Sequence, residues 1–169
     1  MDELIKAKTV QYEAVTTEIN AILEGETQAV LKMATIVAVL KTHFSPRFFW
    51  CGFYVMHNGE LIISAYQGSV ACQHISLQRG VCGRAARTRQ AQIVDDTHAD
   101  PEHIACDSRS NSEIVIPVFD NNGQLFAVLD IDSTEYNAFD RCDQLHLEEI
   151  LQAQFAAAPI VLHYDISTK

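Results

Sequence analysis

The sequence predicts an α+β domain in which an antiparallel sheet is flanked by N- and C-terminal helices. Three observations predict it. Apolar residues recur at helical spacing at both ends of the chain. Two strand–turn–strand patterns fill the middle. The elements run helix, helix, hairpin, short helix, hairpin, helix, an order that suits a sheet covered by terminal helices. The 169 residues match one domain on the usual scale of about 100–200 residues each.

The first helix takes Val15, Ile19 and Ile22 from Tyr12 onward and ends at Gly25, a residue suited to a helix C-terminus. The second starts near Thr27 with Val30, Ala34, Val37 and Leu40 on one face. It must stop before Pro46, because the residue preceding a proline avoids the helical region. Together they form a helical hairpin over about 2–42. Phe49 to Met56 and Leu61 to Ala65 are β-rich and joined through Asn58-Gly59, a hairpin turn. Gly80 and Gly83 bracket Val81 and Cys82 ahead of Arg84-Ala85-Ala86-Arg87, which predicts a short helix beginning near Cys82, with its thiol at the N-terminus.

Between Asp95 and Ser112 the residues are mostly polar and predict a long loop, a feature often tied to function in compact domains. Ile114 to Phe119 and Leu125 to Ile131 form the second hairpin through Asp120-Asn121-Asn122-Gly123. Pro117 places its strand at an edge or beside a bulge. Sheet and loops thus occupy about 48–133. The last helix, about 140–162, has Asp140 as N-cap and Asp143 in its first turn. Leu147, Ile150, Leu151 and Phe155 turn inward, and Pro159 kinks or ends it. One domain over 1–169 follows, since neither a linker nor an internal repeat interrupts it.

A formal net charge of −10 argues against nucleic acid as a partner, because the phosphate backbone would be repelled. No stretch approaches the ~18 uninterrupted apolar residues of a membrane span, and Met1 leads into acidic residues rather than an export signal. A cytoplasmic, unprocessed protein is expected. Nothing in the sequence decides between a monomer and a homodimer.

Cys51, Cys72, Cys82, Cys106 and Cys142 form an odd set without an export signal, so thiols reduced at rest are expected rather than a permanent disulfide framework. Cys51 lies beside Trp50 and Phe53 in an aromatic strand and reads as core packing. Cys142 opens the last helix, where packing and an incidental surface position are equally consistent. Cys72, Cys82 and Cys106 are flanked by small or polar residues that leave room for another molecule. Reactive thiols and buried structural cysteines both remain open for them on sequence grounds. Zinc is disfavoured: Cys72, His74, Cys82, His98, His103 and Cys106 supply soft ligands but no pair at the close spacing of structural sites. No metal is expected.

Three segments carry the most information: Gln67-Gly68-Ser69-Val70-Ala71-Cys72, Arg79-Gly80-Val81-Cys82-Gly83 and His103-Ile104-Ala105-Cys106-Asp107-Ser108. Trp50-Cys51-Gly52-Phe53-Tyr54 precedes them, and Ser112-Glu113-Ile114-Val115-Ile116-Pro117 and Asp130-Ile131-Asp132-Ser133 follow. In this order, from about Tyr12 to Leu151, the chain resembles the free methionine-(R)-sulfoxide reductases. The resemblance implies a single GAF-like domain and reduction of free methionine (R)-sulfoxide by a sulfenic acid and disulfide route. It implies Cys106 as nucleophile, Cys72 or Cys82 as resolving thiol, no bound cofactor, and an external thioredoxin-type reductant.

A zwitterionic substrate needs acceptors for its ammonium, donors for its carboxylate and an apolar wall. By resemblance Trp50 and Tyr54 form the wall, and Glu113, Asp130 and Asp132 supply carboxylates, one of them with a pKa raised enough to act as an acid. Trp50 and Tyr54 share a strand face and could equally be core. Glu113 could be a solvated strand end. Asp130 and Asp132 are harder to explain otherwise, since carboxylates in an apolar strand are uncommon unless paired or functional. Backbone N–H groups at Gly80–Gly83 could bind the substrate carboxylate. The same N-terminus could instead lower the pKa of Cys82, or the glycines could only shape the turn. The alternative functions are a non-enzymatic GAF small-ligand sensor and a thiol redox switch.

Overall fold

The computed structural model describes residues 2–104, 106–157 and 160–161. Helix α1 spans Asp2–Ile22 and α2 spans Ala29–Phe44. Strands β1 (Trp50–His57), β2 (Glu60–Gln67) and β3 (His74–Ser76) follow. Helix α3 (Gly80–Thr88) leads to β4 (Gln92–Val94), β5 (Ser112–Phe119) and β6 (Leu125–Ser133). Helix α4 (Arg141–Leu151) ends the series and passes into a π-helical turn, Gln152–Ala156. The sheet is antiparallel throughout, in the order β3-β2-β1-β6-β5-β4.

Each face of this sheet has its own core, and strand alternation decides which side chain goes where. Cys51, Phe53, Ile114, Ile116, Leu129 and Ile131 point to the face covered by α1, α2 and α4, where they meet Tyr12, Ile36, Leu40 and Phe155. Trp50, Tyr54, Val115 and Val128 point to the opposite face, where α3 supplies Val81, Cys82, Ala85 and Ala86. Cys51 is accordingly a core residue, as its aromatic neighbours predict.

Several expected details shift. Helix α1 starts at Asp2, at the expected bound of about 2 and ahead of the apolar period that opens at Tyr12. Its first turns show no apolar period, since Ile5 and Val10 are exposed. Their inward hold comes from Lys8, which pairs with Asp140 and Asp143 at 2.7 Å each. Ile22 is exposed and Leu23 takes the inward position. On α2 the buried stripe is Ala29, Met33, Ile36, Val37 and Leu40, so Val30 and Ala34 lie outside it. A helix with eleven apolar residues among sixteen, spread around its circumference, offers little contrast from which to read its inner face. Strands β3 and β4 have three residues each, too short to show a period.

The β1–β2 turn uses Asn58 and Gly59, both at positive φ, the geometry that matches strand twist. Strand β4 covers only Glu113 to Val115, so Pro117 stands past its end, and the β5–β6 ladder is irregular between Val118 and Phe119. Asp140 caps α4 reciprocally with Asp143. Asp143, fully buried, also accepts from Tyr12 Oη at 2.8 Å and Arg47 Nη1 at 3.0 Å. One carboxylate thereby ties α1, the segment before β1 and α4 together. Leu147, Ile150, Leu151 and Phe155 face inward. Pro159, expected to kink or end this helix, lies outside the described residues, but the helical run expected to about 162 stops at Ala156, and Val161 instead forms a parallel bridge with Gln28.

Candidate active site

The α3 face of the sheet carries three carboxylates on adjacent strands. Asp132 of β6 stands opposite Trp50 of β1 on one side and Glu113 of β5 on the other, while Asp130 stands opposite Gly52 and Val115. Register alone therefore gathers Trp50, Glu113, Asp130 and Asp132 at one end of the sheet, and Tyr54 lies four residues along the same face as Trp50. The Trp50 ring lies across Gly52, where a Cβ would come within 2.6 Å of ring atom Cη2. It stacks between Tyr54 and Tyr66, at 5.9 Å and 5.5 Å between centroids. The indole N–H donates to the carbonyl of Ser69 at 3.0 Å, a partner that a buried indole needs.

A pocket opens over these residues and is lined also by Gly80, Val81, Cys82, His103 and Cys106. Cys106, in the long 95–111 loop, is joined by a disulfide to Cys72, which lies between β2 and β3, with 5.4 Å between Cα atoms. Cys51, Cys82 and Cys142 are free. The expectation of five resting thiols is corrected for this pair: residue spacing carries no sign that two distant loops converge.

Cys82 is buried in the first turn of α3. The reading in which the helix N-terminus acidifies it is overturned. Burial, together with the negative charge of Asp130 and Glu113, pushes the thiol well above its ordinary range, so it stands as a neutral S–H. The helix start carries no side-chain cap, which leaves its first N–H groups for another acceptor. Gly83 is needed for close packing: a Cβ there would meet the Ser76 carbonyl oxygen at 2.6 Å.

Glu113 and Asp130 are 5% and 7% exposed, and one oxygen of each has no hydrogen-bonding partner. Burial, with the neighbouring carboxylates, holds Glu113 well above the usual carboxylate range. Burial and Asp132 do the same for Asp130. At neutral pH such a pair retains a proton. Burial also raises Asp132, to about 6, against a hydrogen bond from Ser110 that lowers it. Asp132 is thus the most readily ionised of the three carboxyls, and its neighbours are the readier to hold a proton. His103 Nε2 approaches Glu113 at 3.8 Å, and burial lowers its pKa.

Among the described residues, donor atoms of Cys82, Glu113 and Asp130 lie within 4.8 Å of one another, a spacing that could hold a metal ion. This grouping draws on a helix and two strands, so ligand spacing in the sequence could not reveal it.

Ser69, Asp107 and Ser110 also line the pocket, and none of them stands out by residue type. Ser69 Oγ donates to Asp107 Oδ2 at 2.6 Å. Asp107 is gripped by Arg109 through Nε at 3.0 Å and Nη2 at 2.7 Å. Their nearness to Cys72 and Cys106 in the chain was the available signal. The loop is also clamped to α3, since Arg84 donates to both carboxylate oxygens of Asp100, at 3.1 and 2.6 Å.

A sheet with a helical hairpin behind it and a small pocket lined by cysteines, carboxylates and a tryptophan in front defines an α+β domain with a candidate active site on one sheet face. The match to known proteins places it more closely. The model described as "GAF domain" matches residues 33–158. GAF domain-containing protein A of Dictyostelium discoideum is 41% identical over 86% of this chain and 91% of its own length. Free methionine-R-sulfoxide reductase of Escherichia coli is 38% identical over 85% of this chain and 86% of its own. The solved structure of the free methionine-R-sulfoxide reductase of Neisseria meningitidis with its substrate is 40% identical, with a TM-score of 0.80 and 85% coverage of both chains. The chain belongs to the GAF-domain family and, within it, to the free methionine-R-sulfoxide reductases.

Proposed function

We propose that the protein reduces the R epimer of free methionine sulfoxide to methionine, with Cys106 as nucleophile and Cys72 as resolving thiol. The observation that carries this reading is the Cys72–Cys106 disulfide, formed by a pocket-lining cysteine that shares its pocket with Trp50 and three carboxylates. A thiol that meets substrate in the pocket and a partner thiol beside it form a two-step reductant.

In the reduced protein the Cys106 thiolate attacks the sulfoxide sulfur while the proton held between Glu113 and Asp130 moves to the sulfoxide oxygen. The oxygen passes to Cys106 as a sulfenic acid, and methionine leaves. The Cys72 thiol then attacks the sulfenyl sulfur, forming the S–S bond and expelling the hydroxyl as water. A thioredoxin-type dithiol attacks the disulfide, takes the oxidised state itself and returns both thiols. No bound cofactor takes part in these steps. A cytoplasmic setting, where such dithiols keep cysteines reduced, suits them.

Asp132, the most readily ionised of the three carboxyls, accepts the substrate ammonium, and the uncapped N–H groups of Gly80 to Cys82 receive its carboxylate. Trp50 walls the methyl side, with Tyr54 behind it. Cys82 is held beside Glu113 and Asp130 and is not needed for the first disulfide. The test is NADPH consumption coupled through thioredoxin and its reductase, with free R, free S and peptide-bound sulfoxides offered separately. Turnover with the free R epimer alone is expected. No turnover with it, or equal turnover with the peptide, refutes the reading.

A further inference from the structure

Two loops must stay together when the disulfide between them opens. Cys72 lies on the exposed connection from β2 to β3, where Gly68 and Val70 face solvent, and Cys106 lies on the 95–111 loop. Apart from the disulfide, one polar contact joins these segments among the described residues: the hydrogen bond from Ser69 Oγ to Asp107 Oδ2 at 2.6 Å. Ser69 precedes Cys72 by three residues, and Asp107 directly follows Cys106.

Both partners are braced by the same piece of chain. The Ser69 carbonyl accepts from the Trp50 indole at 3.0 Å. Asp107 accepts from the backbone N–H of Arg109 and from its guanidinium, which itself lies over the Phe49 ring at 4.7 Å. Phe49, just before β1, and Trp50, its first residue, thus hold the two halves of the contact from below. With Arg109 keeping Asp107 ionised, the Ser69 hydroxyl donates to a full carboxylate, and such charge-assisted bonds are the stronger kind.

We infer that Ser69 and Asp107 form a latch that keeps the Cys72 loop against the Cys106 loop in the reduced protein and so speeds closure of the disulfide. Ser69 and Asp107 are positioning residues in this scheme. The latch rests on the proposed reduction and acts on its second step. Cys72 attacks the sulfenyl sulfur of Cys106, the S–S bond forms, and the hydroxyl leaves as water. Holding two reactants in range raises their effective concentration. A loop freed of its tie meets the sulfenic acid less often.

The experiment is a single turnover of fully reduced protein with free methionine (R)-sulfoxide, comparing wild type, Ser69→Ala, Asp107→Asn and Ser69→Thr. Methionine release reads the first step. Loss of the second thiol, and capture of the sulfenic acid by a cyclic 1,3-dione, read the second. In Ser69→Ala the second step should slow about tenfold relative to the first, with a matching rise in captured sulfenic acid. Asp107→Asn should move the same way, and Ser69→Thr, which keeps the hydroxyl, should restore the ratio. Equal slowing of both steps, no change in either, or no rescue by threonine overturns the latch. Wild type that releases no methionine instead refutes the underlying function, so the two failures are distinct.

Discussion

Replacing Asp132 by asparagine should stabilise the fold at neutral pH while impairing the proposed reaction. In the folded protein this carboxyl is raised from 3.8 to about 6, so the folded chain binds its proton more tightly than the unfolded chain does. Stability held at low pH is therefore lost as pH rises through 3.8 towards 6, and the loss is complete above that. A displacement of about two units corresponds to about 3 kcal/mol at about 1.4 kcal/mol per unit. Asparagine removes the charge and keeps an oxygen for the Ser110 hydroxyl, a present donor to Asp132 Oδ1. Urea unfolding of both proteins between pH 3.5 and 7.5 gives the comparison. The variant should exceed wild type by about 1–3 kcal/mol at pH 7.5, with the difference shrinking as pH falls from about 6 to below 3.8, where Asp132 becomes protonated in the unfolded chain as well. Its kcat/KM for the free sulfoxide should fall tenfold to a hundredfold, as expected for loss of a charged hydrogen-bonding partner, about 1.5–3 kcal/mol. A gain independent of pH, or a variant less stable at pH 7.5, would show that Asp132 does not carry the strain assigned to it.

Cys72→Ser should release about one methionine per chain without added reductant and retain the sulfenic acid on Cys106, detectable by mass spectrometry after dione capture; wild type should lose two thiols in the same assay. Gly83→Ala should destabilise by about 1–3 kcal/mol in thermal or urea unfolding, because its Cβ would press on the Ser76 carbonyl 2.6 Å away. Asp143→Ala should cost about 3–5 kcal/mol, since it strips Lys8, Arg47 and the Tyr12 hydroxyl of a buried acceptor. Tyr12→Phe, which removes only the donor, should cost less in the same denaturation experiment.

Much of the frame was legible because its signals are local. Asn58-Gly59 specifies a turn by its own backbone preference, and Asp140 with Asp143 specifies a helix start by reciprocal hydrogen bonds. Cys51 was legible as core from aromatic neighbours on its own strand. The inner face of α2 was not, because apolar residues lie all around that helix and the choice falls to its partners. The site divides in the same way. Asp130 and Asp132 stand out within an apolar strand, whereas Glu113 resembles an ordinary strand end until β5 is set beside β6. The Ser69–Asp107 contact and the Cys72–Cys106 bond cross more than thirty residues. Single-chain periodicity does not reach that far. The state of Cys82 depends on two carboxyls from other strands, so its position at a helix start pointed to the wrong sign.

The division of the site between strands and loops follows from what each group must do. Glu113, Asp130 and Asp132 repel one another and resist burial, so flexible supports would let them separate and regain solvent. Strands β5 and β6, bonded along their length and covered on both faces, deny them that relaxation and keep their pKa values high. The thiols face the opposite demand. Cys106 must first meet a substrate sulfur and then a protein sulfur, two partners that cannot occupy one position, and a strand would hold it for only one of them. Loops permit the second encounter but do not make it frequent. Arg84 on Asp100, and Ser69 on Asp107, limit that freedom to a small arc. Loosening these ties should therefore harm exchange between the sulfurs before it harms the acid cluster, whose geometry the sheet maintains.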